Sequence, residues 1–472
     1  MQRAVVNERA WNEAIDRLAG GSLTLLGLWG DPPNVHTATL DETSGEIAVL
    51  TYACADGKYP SVGAKHPPAL RLERAICSLY GLGATGSPDT RPWLDLGFWN
   101  GDKAAPYQFL PVEGEGLHQI PVGPVHAGII EPGHFRFTCN GEYVVRLEQR
   151  LGYVHKGIEK LMAGATLERG AKLACRTSGD SAVAYAYAFA LAAEQALGVT
   201  APPRATYLRA LMAEMERLAN HFGDIGAICN DAAFALMHAQ TGILRERVLR
   251  AAEACFGHRL MMDVIVPGGV TRDLSPQGLG ALATLLAEVR RVFPRLIELY
   301  DNTASLQDRT VATGIVKPEY VKQFGAGGYV GRASGRTYDA RRMPGYAPYD
   351  KLAFDVPVRE DGDVNARVWI RIREVEQSLK LIDQIVDRLP AGPIAAEFKA
   401  AAGGGLALTE AFRGDVLVWL RLEADGRIAR CHLRDASWFQ WPLLETAIEG
   451  NIVADFPLCN KSFNCSYSGH DL

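Results

Sequence analysis

Apolar residues recur at three- and four-residue steps along three long stretches of the chain. Leu208, Leu211, Met212, Met215, Leu218 and Phe222 form one stripe, and Leu282, Leu285, Leu286, Val289, Val292, Phe293 and Leu296 a second. Val368, Ile372, Val375, Leu379, Ile382 and Val386 form a third, which stops before Pro390. This period puts each set on one face of an α-helix and predicts the helices of a bundle. The run AVAYAYAFALAA at residues 182–193 is apolar on every side and predicts a buried helix. It ends at Glu194, well short of the roughly 20 residues that a bilayer span requires.

Elsewhere the pattern is strand-like. Residues 22–30 and 46–52 read as strands and residues 69–82 as a short helix, an α+β arrangement. A stretch rich in Gly and Pro, residues 103–123, breaks all periodicity. These features divide the chain into an α+β domain over 1–105, a linker over 106–122, and a mainly α domain over 123–472 with peripheral β-hairpins. One hairpin is expected where residues 135–139 and 143–148 flank Asn140-Gly141, a dipeptide suited to a type I′ turn. A second is expected around Asp425-Gly426, between the alternating residues 415–423 and 427–434.

The 472 residues, 48% hydrophobic and 22% charged, suit a globular protein of two to three domains. A net charge of −5 supplies no basic field for nucleic acid, so none is expected as a partner. The first residues carry scattered charges and no apolar core of a secretory signal, so a cytoplasmic protein is expected. Nine scattered cysteines include no CxxC pair, which argues against a disulfide framework and a zinc site. The Gly-rich residues 325–328 lack GxGxxG spacing and there is no Walker A sequence, so NAD binding is not expected.

Three spaced motifs carry a family resemblance. The first runs from Gly123-Pro124-Val125-His126 through Glu131-Pro132-Gly133-His134-Phe135-Arg136 to Gly152-Tyr153-Val154-His155 and Glu159-Lys160. The second comprises Gly331-Arg332-Ala333-Ser334-Gly335, Tyr338-Asp339, Phe354-Asp355-Val356-Pro357, Gly362-Asp363 and Arg371-Ile372-Arg373-Glu374. The third is Thr409-Glu410-Ala411-Phe412-Arg413-Gly414. Together they resemble the family of the [NiFe]-hydrogenase large subunit and the complex I 49-kDa subunit, in particular the formate hydrogenlyase type of energy-converting membrane hydrogenase. Tyr59-Pro60-Ser61-Val62, Glu73-Arg74, Leu79-Tyr80-Gly81-Leu82 and Asp89 make residues 1–105 look like a shortened complex I 30-kDa subunit.

The resemblance implies where metal ligands would stand. Hydrogenase relatives supply four thiolates from two CxxC pairs, the soft donors that such a centre needs. The matching stretches here are Arg176-Thr177-Ser178-Gly179-Asp180-Ser181 and Asn464-Cys465-Ser466-Tyr467-Ser468-Gly469-His470-Asp471-Leu472. The ligand positions become Ser178, Ser181, Ser466 and Gly469, and neither a hydroxyl nor a glycine replaces a thiolate at neutral pH. No nickel–iron centre is expected, nor any other metal. Cys175, Cys459 and Cys465 lie near these motifs but not at CxxC spacing. The chain also stops where mature relatives stop, so no C-terminal processing is expected.

In the complex I branch the same cavity binds a quinone headgroup, with a tyrosine at the position of Gly179 and a histidine in the loop after G-P-x-H. Ungapped matching puts Ile130 at the histidine position and leaves His134 as the stand-in. Arg176 matches an arginine beside the terminal iron–sulfur cluster of a neighbouring subunit; a histidine near that cluster matches Met261 or Met262. His126, His155 and Glu159 match residues that line or brace the cavity, and Asp180 is a carboxylate inside it. Arg176, His126, His134 and Asp180 are therefore the candidate catalytic residues.

The resemblance also implies a setting: a subunit peripheral to the inner face of the cell membrane, in an electron-transferring complex. Its partners would be a small iron–sulfur subunit, a ferredoxin-like subunit and antiporter-like membrane subunits. No cofactor is expected on this chain itself, with quinone as a possible acceptor. The rival expectations are a non-catalytic scaffold of an ion-translocating complex, and a working hydrogenase, which the absent thiolates disfavour.

Overall fold

A computed structural model describes residues 2–94, 107–126 and 130–472. Residues 103–106 of the stretch rich in Gly and Pro lie outside the described residues. The first part is a four-stranded sheet of β1 (Gln2–Val6), β2 (Thr24–Asp31), β3 (Asn34–Asp41) and β4 (Glu46–Ala53), in the order β1-β4-β3-β2. β1 runs parallel to β4 and the other pairs are antiparallel. Helix α1 (Glu8–Ala19) buries Trp11, Ile15 and Leu18, one apolar stripe, and α2 (Leu70–Tyr80) ends at Gly81 in the left-handed region. The expected strands and helix are β2, β4 and α2.

β5 (Leu117–Val122), β6 (His134–Asn140) and β7 (Tyr143–Arg150) form a three-stranded antiparallel sheet. β5 falls within the expected linker. Its Pro121 is compatible with a strand because β5 is the sheet edge, where a missing N–H costs no ladder bond. The β6–β7 hairpin forms where expected, but Asn140 pairs with Tyr143, so the two loop residues are Gly141 and Glu142. Of the pair only Gly141 has positive φ, the pattern of a II′ turn rather than I′.

The bundle follows. α3 (Ala182–Leu197) is the apolar run, buried along almost its whole length. α4 (Pro203–Asp231), α5 (Ala235–Phe256), α6 (Pro276–Asn302) and α7 (Val364–Asp387) contain the three predicted stripes and one helix that the stripes did not announce, α5. α4 packs against α5 and α7, and α5 against α6. Among the described residues no helix is long and apolar enough to cross a membrane.

The second expected hairpin is β9 (Gly414–Leu422) and β10 (Ile428–Arg434), joined by β8 (Gly403–Ala411) in a three-stranded sheet. This sheet is not peripheral. Ala407, Val416, Val418 and Leu420 pack with α3, while Leu406, Leu408, Leu417 and Trp419 pack with Leu26 and Trp29 of the N-terminal sheet. Burial on both faces accounts for the unbroken apolar run at residues 416–420 within β9, where the alternation expected of residues 415–423 is lost. β8 starts with Gly403-Gly404-Gly405, which reads as a breaker. The glycines are there for contact: a Cβ on Gly405 would fall 1.7 Å from the carbonyl oxygen of Ala192 on α3. The chain closes with a short helix, α8 (Tyr467–Asp471).

Candidate functional site

The site forms where the start of α3 meets the last turn of the chain. Ser178 is extended, and Gly179–Ser181 makes one 3₁₀ turn that leads into α3. From the other side, Ser466 caps α8 by accepting the N–H of Gly469 at 2.9 Å. The two serine oxygens lie 3.0 Å apart. Ser466 Oγ already accepts from Gly469 and the Ser178 hydroxyl donates to Asp180 Oδ1 at 2.7 Å, so the remaining proton, that of Ser466, points to Ser178. The result is a directed chain of donors that ends on the Asp180 carboxylate.

Arg413, in the tight turn between β8 and β9, closes the other side. Its guanidinium bonds Asp180 Oδ2 at 2.5 Å, Ser181 Oγ at 3.3 Å and the carbonyl oxygen of Asn464. Gln440 holds the Arg413 carbonyl at 2.7 Å, which fixes the turn. Burial alone would push the Asp180 carboxyl up, but Arg413 and the two serine hydroxyls outweigh it and hold it down at about 2. The side chain of Asp180 keeps a third of its surface open, toward a cavity of about 930 Å³.

That cavity is walled by Ser178, Asp180 and Arg413 together with Glu131, Asp224 and Tyr467. Asp224 accepts from Asn464 at 2.9 Å and from Arg371 at 3.1 Å. A Cβ on Gly179 would meet nothing within 4 Å, so this position opens directly into space. Behind the wall, Arg332, Asp339, Glu374 and Glu410, all from the second and third motifs, form a buried ion network. His221 of α4 joins it through Glu374 at 2.6 Å.

Of the four positions expected to have lost thiolates, Ser178 and Ser466 line this cavity, while Ser181 and Gly469 bond to Asp180 and Ser466 of its lining, and the donor set does not fit a nickel–iron centre. Three are hydroxyls and the fourth has no side chain. That fourth position is also blocked: a Cβ on Gly469 would lie 2.6 Å from Asp435 Oδ2, an oxygen that Tyr185 already holds at 2.8 Å. The nearby thiols do not substitute. Cys175 turns to Asp263 and Lys172 and is pushed up to about 11, chiefly by burial, and burial likewise pushes Cys465 well above its ordinary value. Among the described residues no three His, Cys, Asp or Glu side chains gather as metal ligands would.

Of the other expected residues, His126 and His134 fasten the loop between β5 and β6 at its base. His126 Nε2 meets the carbonyl of Gly133 at 2.8 Å and His134 Nδ1 that of Gly123 at 3.2 Å; the loop lends Ile130 and Glu131 to the cavity instead. Arg176 is exposed and makes a two-pronged pair with Asp263 at 2.6 and 2.7 Å. His155 Nδ1 holds the Asp471 carbonyl at 2.7 Å. Glu159 is bonded to Tyr80 at 2.7 Å, His432 at 2.8 Å and Arg430 at 2.8 Å, which ties the N-terminal part to β10. Sequence reasoning missed Arg413 and Asp224 as cavity residues. Arg413 lies within the third motif, but no spacing links residue 413 to residue 180.

A sequence profile of the respiratory-chain NADH dehydrogenase 49 Kd subunit family matches residues 231–403. Formate hydrogenlyase subunit 5 of Escherichia coli (strain K12) is 32% identical over 440 residues, 88% of this chain and 77% of the relative. The carbon monoxide-induced hydrogenase of Rhodospirillum rubrum is 32% identical over 353 residues, covering 74% and 97%. An NADH-quinone oxidoreductase subunit of Desulfotalea psychrophila (strain LSv54 / DSM 12343) is 32% identical over 345 residues, covering 71% and 92%. These likenesses define a class that joins complex I-like and hydrogenlyase-type subunits. The chain belongs to that family, the one of the complex I 49-kDa subunit and its hydrogenase relatives.

Proposed function

We propose that this chain is the large peripheral subunit of a membrane-associated oxidoreductase complex, and that it works without a nickel–iron centre. The observation that carries the reading is the convergence of the four positions at one end of the cavity, where Ser178 and Ser466 line the wall, Ser181 bonds to Asp180 and Gly469 to Ser466, so that hydroxyls and a carboxylate replace the thiolate donor set. In this reading residues 1–105 are a shortened 30-kDa-like domain, 106–122 a connection and 123–472 the 49-kDa-like domain. The complex sits at the cytoplasmic face of the membrane. A small iron–sulfur subunit, a ferredoxin-like subunit and antiporter-like membrane subunits complete it, with the cluster held by the partner near Arg176.

Electrons then pass to a quinone-like acceptor in the central cavity. The volume of about 930 Å³ and the open position at Gly179 support an acceptor of that size. The chain's part is to position it: Asp180 and Arg413 present a fixed ion pair, and the ring of Tyr467 lines the same cavity. A second reading is a scaffold that only braces an ion-translocating complex. It is favoured by the completeness with which Arg413, Ser178 and Ser181 satisfy Asp180 within the protein. Purification with partners followed by assays of quinone and dye reduction separates the two: turnover that falls in Asp180→Asn supports the first, and an intact complex with no turnover supports the scaffold.

A further inference from the structure

Glu216 lies on α4, one turn before Asn220, and has no part in the site described above. Its carboxylate accepts the backbone N–H groups of Val183 at 2.7 Å and Ala184 at 3.1 Å, two of the free donors at the start of α3. Among the described residues no ion pair reaches it. It also walls a second cavity, of about 170 Å³, together with Met215, Val248, Ala252, Arg259 and Met261. That volume has room for several water molecules, each of which takes roughly 30 Å³ in the liquid. The small cavity and the central one share Gly179, Asp180, Asn220 and Arg245 as a common partition. Asn220 Nδ2 ties the two sides together by donating to the carbonyl oxygens of Asp180 at 2.7 Å and Glu216 at 2.9 Å.

We propose that Glu216 is a proton-exchange site serving the central cavity. Its carboxylate takes a proton from a hydronium ion in the small cavity, the hydronium O–H bond breaking as the carboxyl O–H bond forms. It passes that proton to a water at the partition formed by Asp180 and Asn220, the carboxyl O–H bond breaking as the water's new one forms. One proton moves and no electron does. The exchange is the same whichever acceptor the central cavity takes.

The charges around Glu216 suit this role. Asp180 faces it from the turn before α3, Arg217 adjoins it on α4, Arg245 comes from α5, and Arg259 from the loop after α5. A carboxylate that merely caps a helix is held ionised by the N–H groups it accepts. Here burial and the like charge of Asp180 outweigh those bonds and Arg217, pushing the Glu216 carboxyl up to about 8. Both of its forms are accessible near neutral pH, as proton exchange requires.

Infrared difference spectroscopy of the full chain, titrated through pH 8, tests this. The expected result is a protonated-carboxyl band that disappears as pH rises, is absent in Glu216→Gln, and has a lower midpoint in Asp180→Asn. On transfer to D2O the band shifts within the mixing time, and Ala252→Leu, which fills the small cavity, delays that shift. A band that persists in Glu216→Gln, a midpoint unmoved in Asp180→Asn, or exchange that takes hours in the unaltered chain would overturn the proposal. Should Glu216→Gln fail to fold, the Asp180→Asn midpoint and the exchange rate still decide it.

Discussion

Ser178 Oγ and Ser466 Oγ lie 3.0 Å apart across 288 residues of sequence, and this hydrogen bond joins the turn before α3 to the last turn of the chain. Both side chains are buried. Ser178→Ala leaves a partner unsatisfied and costs about 1–3 kcal/mol. Ser466→Ala also removes the α8 cap, which adds roughly 1 kcal/mol. A double-mutant cycle by chemical denaturation should return a coupling energy, since the two residues share one bond; strict additivity would contradict the bond.

The acid limb of stability should depend on Asp180. Its folded carboxyl is held at about 2, below the ordinary carboxylate value, chiefly because Arg413 outweighs the effect of burial. A depressed acid adds stability that is present above its ordinary pKa and lost as pH falls toward the folded one. The melting temperature of the unaltered chain should therefore fall between pH 4 and pH 2 more steeply than that of Asp180→Asn. Equal slopes would mean that the Asp180–Arg413 pair does not form.

Glu159 should act as the clasp between α2 and β10. It accepts from Tyr80, from His432 and from the Leu433 N–H, and pairs with Arg430. Glu159→Ala leaves Arg430 buried without its partner, a change that costs roughly 3–5 kcal/mol. Hydrogen exchange should rise at the end of α2 and in β10 together; a rise confined to one of them would contradict the clasp.

Two glycines should respond in opposite ways. Gly405→Ala drives a methyl group into the Ala192 carbonyl, whereas Gly179 faces open space with an ordinary φ. The first should cost more than about 2 kcal/mol, as overpacking at a buried contact does, and Gly179→Tyr should be nearly neutral, within about 0.5 kcal/mol. Melting curves of the two variants check this, and a severe loss in Gly179→Tyr would mean that the cavity is closed.

These contrasts show what the sequence makes legible. α4, α6 and α7 are readable because one face of each is solvated or polar, so the apolar stripe stands out at helical spacing. β8 is hidden because both faces of its sheet are covered and its first three residues are glycines chosen for helix contact. The site is legible only as scattered matched positions. Residues 178–181, 413 and 464–469 all lie outside the segment 231–403 matched by the family profile, and only folding brings them together. The same holds for Glu216, whose exceptional surroundings come from burial and from Asp180, neither visible along the chain.

Ser178, Ser466 and Asp180 of the cavity wall, with Ser181 bonded to Asp180, are proposed to stand in place of a metal centre. Elemental analysis of the intact complex purified with its partners tests this replacement most directly. No nickel above background is expected, whereas one nickel per copy of this chain would contradict the replacement.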